Sequence, residues 1–186
     1  MRCMHEAQMH EDNCFITLTY RPDDLPKDGS LNKKHFQDFM KRLRHRFSDI
    51  KIRYYMCGEY GEDFGRPHYH ACIFGFDFPD KVHWKTVNGC KLFTSEILED
   101  LWSFGFCTIG DLTFESAAYV ARYCTKQITG IKADEHYKGR QPEFGLQSNK
   151  PGIGSGWYDK WKKDCFPSDY LVIQGVKCKP PLACLS

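Results

Sequence analysis

The sequence lacks the features that would insert it into a membrane or send it into a secretory pathway. No apolar run approaches the roughly 20 residues that a helix needs to span a bilayer. The N-terminal residues Met1-Arg-Cys-Met-His-Glu6 contain no apolar segment of the kind found in a signal peptide. We therefore expect a cytoplasmic protein with no membrane contact.

Paired cysteine motifs are also missing, although the chain has ten cysteines. No Cys-x-x-Cys occurs, so a zinc ribbon or knuckle has no support. Cys14, Cys72 and Cys124 lie in apolar segments, which predicts small core residues kept reduced in a cytoplasm. We expect no disulfide scaffold at this length.

A strong net charge is absent as well, because the formal value is +2. Locally, however, residues 33–53 hold eight Lys or Arg against two Asp. Such a patch can neutralise phosphates and steer a polyanion. A solvated helix face is the alternative interpretation.

The hydrophobic pattern predicts one domain over residues 1–186, with a less regular region from about 131 to 186. Strands are predicted over 14–20, 51–59, 68–74 and 106–109, with 51–74 forming a hairpin. Helices are predicted over 32–47, 94–104 and 113–130, a loop over 77–89, a helical turn over 157–163 and a small hairpin over 170–179. This order indicates an α+β fold, a central antiparallel sheet with flanking helices on one face.

Two histidines alternate along the third predicted strand. Because residues i and i+2 of a strand project to the same side, His68 and His70 form a partial metal site, whereas Tyr69 and Ala71 point into the core. Glu59, across the predicted hairpin, is the first candidate for a third ligand to a hard cation. Glu62 and Asp63 are second choices, and a pair of surface histidines is the bland alternative.

Two tyrosines and a lysine share one face of the helix predicted over 113–130. At about 100° per residue, Tyr119, Tyr123 and Lys126 fall within a sector of roughly 60°. An apolar stripe lies nearly opposite and consists of Ala117, Ala121, Cys124 and Ile128. The pattern favours tyrosines that stand apart from the main core, although a packed aromatic pair is the alternative.

Paired phenols beside a divalent metal suit phosphodiester transfer. A phenol with a pKa near about 10 needs help to attack a phosphate at neutral pH. A metal and Lys126 would both favour the phenolate and offset charge on the phosphate oxygens. Two tyrosines allow two successive transesterifications, the first nicking a strand and the second joining a new junction.

At these residues the chain resembles the HUH endonuclease superfamily, and within it the rolling-circle replication proteins of gokushovirus-like microviruses. The similarity covers about residues 10–176. The segments that carry it are Phe15-Ile-Thr-Leu-Thr-Tyr20, Gly58-Glu-Tyr-Gly61, Arg66-Pro-His-Tyr-His70, Tyr119-x-x-x-Tyr123-x-x-Lys126 and Pro151-Gly-Ile-Gly154.

The resemblance implies an RNA-recognition-like fold and a site-specific nickase and ligase acting on single-stranded origin DNA in a bacterial host. It implies Mg²⁺ or Mn²⁺ held by His68, His70 and Glu59. Tyr119 and Tyr123 would be alternating nucleophiles leaving a 5′-phosphotyrosine, with Lys126 as supporting cation. No Gly-x-x-x-x-Gly-Lys-Ser/Thr motif occurs, so a separate host helicase and a polymerase are the implied partners. Such proteins are commonly longer at both ends, which indicates a catalytic-domain fragment or a short relative.

Three other functions stay open from sequence. A non-catalytic single-strand-binding module would stack bases on Tyr54 and Tyr55 and track phosphates with the basic helix. A one-tyrosine enzyme of the transposase or relaxase type would need a single nucleophile. A hydrolase would use the metal to activate water and leave the tyrosines as packing residues.

Overall fold

The protein is described here by a computed structural model covering residues 1–61, 65–125, 127–165, 170–173 and 176–179. Its main sheet has seven strands in the order β4-β5-β6-β1-β3-β2-β7, and every neighbouring pair is antiparallel. The strands are β1 Asn13–Leu18, β2 Arg53–Tyr60, β3 Pro67–Phe74, β4 Val82–Val87, β5 Cys90–Thr94, β6 Cys107–Gly110 and β7 Phe144–Gln147.

The helices are α1 Arg2–Ala7, α2 Lys33–Arg46, α3 Glu96–Trp102, α4 Phe114–Thr125, α5 Ile131–Tyr137 and α6 Ser155–Cys165. A separate hairpin joins β8 Leu171–Ile173 to β9 Val176–Cys178, as predicted. The predicted α+β class is therefore confirmed, and so is the hairpin of β2 and β3. Within the described residues, no helix is both long and apolar enough to cross a bilayer.

The larger core lies between the sheet and the helices α2 and α3. Alternate residues of β1, such as Ile16 and Leu18, meet Phe36 and Phe39 of α2 and Trp102 of α3, and all five are fully buried. Asn32 caps α2 by accepting a hydrogen bond from the Lys34 amide at 3.0 Å, at the predicted start of this helix. Burial of these large side chains fixes α2 and α3 on one face of the sheet.

Tyr69 anchors this face to the start of α2. Its buried hydroxyl accepts the Asn32 amide hydrogen at 2.8 Å and lies 2.8 Å from the Tyr20 hydroxyl. Ala71 is buried in the same core, so the predicted inward direction of both residues is confirmed. Strand alternation then directs His68 and His70 to the opposite face.

Helices cover both faces of the sheet, so the prediction that they lie on one face was wrong. Ala117 and Val120 of α4 pack against Cys57, Cys72 and Phe74, which project from β2 and β3 away from α2. The physical reason is that these central strands carry apolar side chains on both sides. A strand buried on both sides needs a layer on each.

The predicted loop over residues 77–89 contains β4 and the start of a hairpin with β5. All six residues of β4 are exposed, so no alternation of buried and exposed positions marks it in the sequence. The turn is Asn88-Gly89, with φ of 49° and 80°. Positive φ at both positions suits the tight turn that Asn-Gly favours, which was the available sequence signal.

The helix predicted to reach Gly130 ends at Thr125. Gly130 has a φ of 74° and precedes α5, which the sequence interpretation did not assign. It also assigned no element to α1 or to β7, which pairs with β2 at the sheet edge. These elements are short, and their packing partners are distant in the chain.

The basic segment 33–53 is partly structural. Arg53 is buried and donates to Glu6 at 2.5 Å and to the Pro151 carbonyl at 2.8 Å. Arg42 and Arg44 donate to backbone carbonyls. The exposed side of α2 faces away from α4, so this segment does not line the histidine face.

Cysteine burial follows the sequence prediction. Seven described cysteine side chains are free, and five of them are buried: Cys3, Cys14, Cys57, Cys72 and Cys107. Three of these buried thiols, Cys3, Cys57 and Cys72, belong to the core beneath α4. They act there as small apolar residues.

The N-terminal helix docks through a histidine whose protonation should weaken it. The His5 ring stacks on Trp157 of α6 at 3.8 Å. Burial, followed by the nearby N-terminal ammonium, lowers the pKa of His5 to about 4. The unfolded chain therefore binds this proton more readily, and the contribution of His5 to stability is lost as pH falls from about 6.5 towards about 4.

We expect His5→Phe to keep the ring stack and remove this part of the pH dependence. The measurement is the thermal unfolding midpoint of both proteins at about pH 7.5 and about pH 5. The wild-type midpoint should fall further than that of H5F. Equal falls in the two proteins would show that His5 does not titrate on unfolding.

Candidate active site

Three side chains from neighbouring strands meet on the α4 face of the sheet. His70 contacts Glu59 through Nε2 and Oε1 at 2.9 Å, and its Nδ1 lies 3.0 Å from the Thr17 hydroxyl. The pairing register explains the contacts, because Thr17 of β1 lies directly opposite His70 and Glu59 of β2 directly opposite His68. Phe15 stacks on the His70 ring at 5.9 Å. Both nitrogens of His70 therefore have fixed partners.

His68 lies on the same face, with its ring centroid 6.4 Å from that of His70. Burial, followed by the neighbouring His70 ring, lowers the pKa of His68. A neutral imidazole is the form that binds a metal. Gly61 leaves room for this ring, because a Cβ at that position would lie 2.9 Å from Cε1 of His68.

Tyr119 reaches the same carboxylate from α4. Its hydroxyl donates to Oε1 of Glu59 at 2.7 Å, and its ring meets the His70 ring edge-on at 5.0 Å. Burial, followed by the hydrogen bonds to Glu59 and Tyr123, raises the pKa of Tyr119. In this arrangement Tyr119 is therefore a neutral phenol that points at the histidine and carboxylate group.

Tyr123 lies one helical turn further along α4. Its ring centroid is 4.5 Å from that of Tyr119, and it packs partly against the core beneath the helix. The predicted separation of the tyrosines from the apolar stripe is therefore incomplete. Ala117 and Cys124 do face the sheet, but Ala121 is exposed.

The start of α4 sets the direction of these tyrosines. The Thr113 hydroxyl accepts the Ser116 amide hydrogen at 3.2 Å, and the Ser116 hydroxyl accepts that of Thr113 at 2.9 Å. This reciprocal cap confirms the predicted helix start. Ala117 and Val120 then face the sheet, which leaves Tyr119 at the histidine edge of the contact.

Comparison with known proteins identifies the family. The family model for the replication-associated protein ORF2 matches residues 13–128, more than half of the chain. The chain belongs to this family. The matched region contains every residue of the candidate site, whereas α1 and α6 lie outside it.

Three curated viral proteins are similar along most of the chain. Replication-associated protein VP4 of Bdellovibrio phage phiMH2K is 36% identical over 182 residues, 93% of this chain and 56% of the relative. Replication-associated protein ORF2 of Spiroplasma virus 4 is 37% identical over 180 residues, 89% and 54%. Replication-associated protein ORF4 of Chlamydia phage 1 is 30% identical over 182 residues, 92% and 45%.

The chain thus spans about half the length of the curated relatives that it matches. No solved structure is significantly similar to it. The resemblance to phage replication-associated proteins inferred from the motifs is confirmed by the family match.

Part of the predicted site lies outside the described residues. Lys126, predicted as the supporting cation, is one such residue, and the second-choice ligands Glu62 and Asp63 are two others. The candidate site that can be described therefore consists of Glu59, His68, His70 and the two tyrosines, together with Thr17, which the sequence interpretation missed. Thr17 could have been found only from the register of β1 against β3.

The donor set fits a divalent cation in its chemistry. Two imidazoles and a carboxylate suit several divalent metals, and Oε2 of Glu59 is buried without a hydrogen-bond partner. Such an atom is costly unless a further ligand satisfies it. In the described part of the chain, no three His, Cys, Asp or Glu side chains are close enough to hold one ion as they stand. Side-chain movement would have to accompany metal binding.

Thr17 is expected to orient His70. We expect Thr17→Val, which removes the hydroxyl at Nδ1 and keeps the side-chain volume, to weaken Mn²⁺ binding by about tenfold or more. Isothermal titration measures the affinity. Thr108→Val is the matched control, because Thr108 is paired with Thr17 on the far side from His70. Equal affinities in T17V and T108V would show that the hydroxyl does not position the ring.

Proposed function

We propose that the chain is a metal-dependent endonuclease that nicks and joins single-stranded origin DNA and so initiates rolling-circle replication of a viral genome. One observation carries the proposal: the Tyr119 hydroxyl lies 2.7 Å from Glu59, which contacts His70 at 2.9 Å. A nucleophile and candidate metal ligands therefore share one surface. The family match supports the connection to replication.

In this proposal His68, His70 and Glu59 hold Mg²⁺ or Mn²⁺. When bound, the ion would offset charge on the scissile phosphate and favour the phenolate. Oε1 of Glu59 already accepts the Tyr119 hydrogen and is therefore placed to receive that proton. Oε2, which has no partner in the described residues, is the atom available to the cation.

The covalent step conserves the energy of the phosphodiester. The Tyr119 oxygen would bond to phosphorus while the bond to the 3′ oxygen of the preceding nucleotide breaks. The products are a 5′-phosphotyrosine and a free 3′ hydroxyl, which can prime synthesis. Tyr123, whose ring is 4.5 Å from that of Tyr119, would perform the second transfer at a new junction. Lys126 is proposed to support the charge that develops.

The alternative of a pure binding module receives no support from the residues suggested for it. Tyr54 and Tyr55 are neighbours on β2 and project to opposite faces, so they form no common stacking surface. Tyr54 packs against Phe36 and Arg44 beneath α2. A nucleic-acid surface would have to use other residues.

The setting of the reaction is part of the same proposal. The protein would act in the cytoplasm of a bacterial host together with a separate helicase and a polymerase. A denaturing gel of the protein with a labelled origin strand, with and without Mn²⁺, tests the central step. We expect a metal-dependent band of covalent protein–DNA adduct. Free 5′-phosphate ends without adduct would support the hydrolase, and binding without cleavage would support the binding module.

A further inference from the structure

Half of the α4 face of the sheet has no helix over it. Helix α4 packs on β2, β3 and β7, and leaves β1, β6, β5 and β4 open on that side. Two large aromatic side chains stand on this open half: Trp84 is 45% exposed and Phe106 is 42% exposed. Their rings meet edge-on at 4.8 Å. Exposed neighbouring aromatics of this size are unusual unless they serve binding.

A lysine completes the cluster. The Lys85 ammonium lies 3.9 Å from the centre of the Trp84 ring. We name Trp84, Lys85 and Phe106 the hairpin platform. Residues 81–94, which form the hairpin, contain three lysines and one histidine but no Asp or Glu. Within the described part of the chain, Lys85 and Lys91 form no ion pair. The surface is therefore both aromatic and cationic.

The hairpin platform is continuous with the candidate active site. His70, Thr17 and Thr108 are direct neighbours across β3, β1 and β6. Phe106 immediately precedes β6, and its carbonyl accepts the Thr19 amide hydrogen at 3.1 Å. At about 4.8 Å between strands, β6 is roughly 10 Å from β3. A strand whose phosphate lay at Tyr119 could reach the platform across half-exposed threonines.

We propose that the hairpin platform binds unpaired bases of the single strand beside the phosphate held in the active site. Bases stack on aromatic faces, and a nearby ammonium can contact the backbone phosphate. This combination matches the composition of the surface and its position. The inference rests on the proposed nicking function, because it supplies the bound strand for the same reaction. Trp84 and Phe106 position DNA and take no part in the chemistry.

The test is the affinity for a fluorescein-labelled origin oligonucleotide, measured by anisotropy in the absence of metal. We expect Trp84→Ala with Phe106→Ala to weaken binding by about tenfold or more, since stacking contributes roughly 1–3 kcal/mol per base. Trp161→Ala is the matched control, because Trp161 is 40% exposed on α6. Circular dichroism checks the fold. Trp84→Phe should retain most of the affinity, and Lys85→Gln should reduce the salt slope by about 1.

The outcomes separate this inference from the proposed function. Equal affinities in W84A/F106A and W161A would overturn the platform, even where nicking is normal, and would leave the hairpin as a protein-contact surface. Weaker binding in W84A/F106A, from a wild type that forms no adduct, would support the platform and overturn nicking. With both proposals correct, the double variant should nick at the wild-type rate at saturating DNA and need at least about tenfold more DNA to do so.

Discussion

Phenylalanine at both Tyr119 and Tyr123 should abolish the covalent protein–DNA adduct. The substitution removes the attacking oxygens and keeps both rings, so the contact between them at 4.5 Å is preserved. Loss of the nucleophile should reduce adduct formation by at least about a thousandfold. The rate is measured on denaturing gels in excess Mn²⁺. Tyr170→Phe is the control, because Tyr170 is an exposed tyrosine near the small β8–β9 hairpin.

The single variants separate the two-tyrosine enzyme from the one-tyrosine enzyme. Tyr119→Phe also removes the donor to Glu59 and should cost roughly 1–3 kcal/mol in the free energy of unfolding. Thermal unfolding must therefore accompany each rate. We expect each single variant to retain one transfer and lose the joining of two ends. Full nicking and joining by Y123F would instead support a single nucleophile, and adduct surviving in the double variant would exclude both tyrosines.

Glutamine at Glu59 should separate metal binding from stability. Glu59 is buried, and one of its oxygens has no partner among the described residues. Gln keeps an acceptor for Tyr119 but removes a buried charge. We expect Mn²⁺ affinity to fall by about 10- to 100-fold, with adduct formation following it. Without metal, the free energy of unfolding should stay within about 1 kcal/mol of wild type, since burying a charge is costly.

Titration calorimetry with Mn²⁺ and thermal unfolding in chelator measure the two effects. Glu115→Gln is the matched control, because Glu115 is an exposed carboxylate in the first turn of α4. A purely structural Glu59 predicts the reverse pattern. In that case E59Q would bind Mn²⁺ as tightly as E115Q and would unfold at a lower temperature.

Local periodicity was sufficient to predict most of the candidate site. The alternation of His68, Tyr69 and His70 predicts two faces for β3, and the structure has Tyr69 in the α2 core and the histidines opposite. The hairpin of β2 and β3 predicts that Glu59 and the histidines are adjacent. These inferences depend on neighbouring residues and one short connection, which a sequence pattern records well.

Features that depend on distant packing were missed. The two-sided sheet requires apolar residues on both sides of β2 and β3, and a strand segment read alone does not reveal which helix covers which side. The contact of Thr17 with His70 joins residues 53 positions apart. The exposed strand β4 lacks a buried face, so the alternation rule had nothing to detect there.

The central claim is that one tyrosine of α4 attacks a phosphate at the histidine and carboxylate group. Mass spectrometry of the trapped adduct tests it directly, because trypsin cleaves after Arg122 and separates Tyr119 in peptide 92–122 from Tyr123 in peptide 123–126. We expect the nucleotide mass on one or both of these peptides, and on neither when Mn²⁺ is chelated. A nucleotide attached to any other peptide, or an adduct that forms equally well in chelator, would contradict the claim.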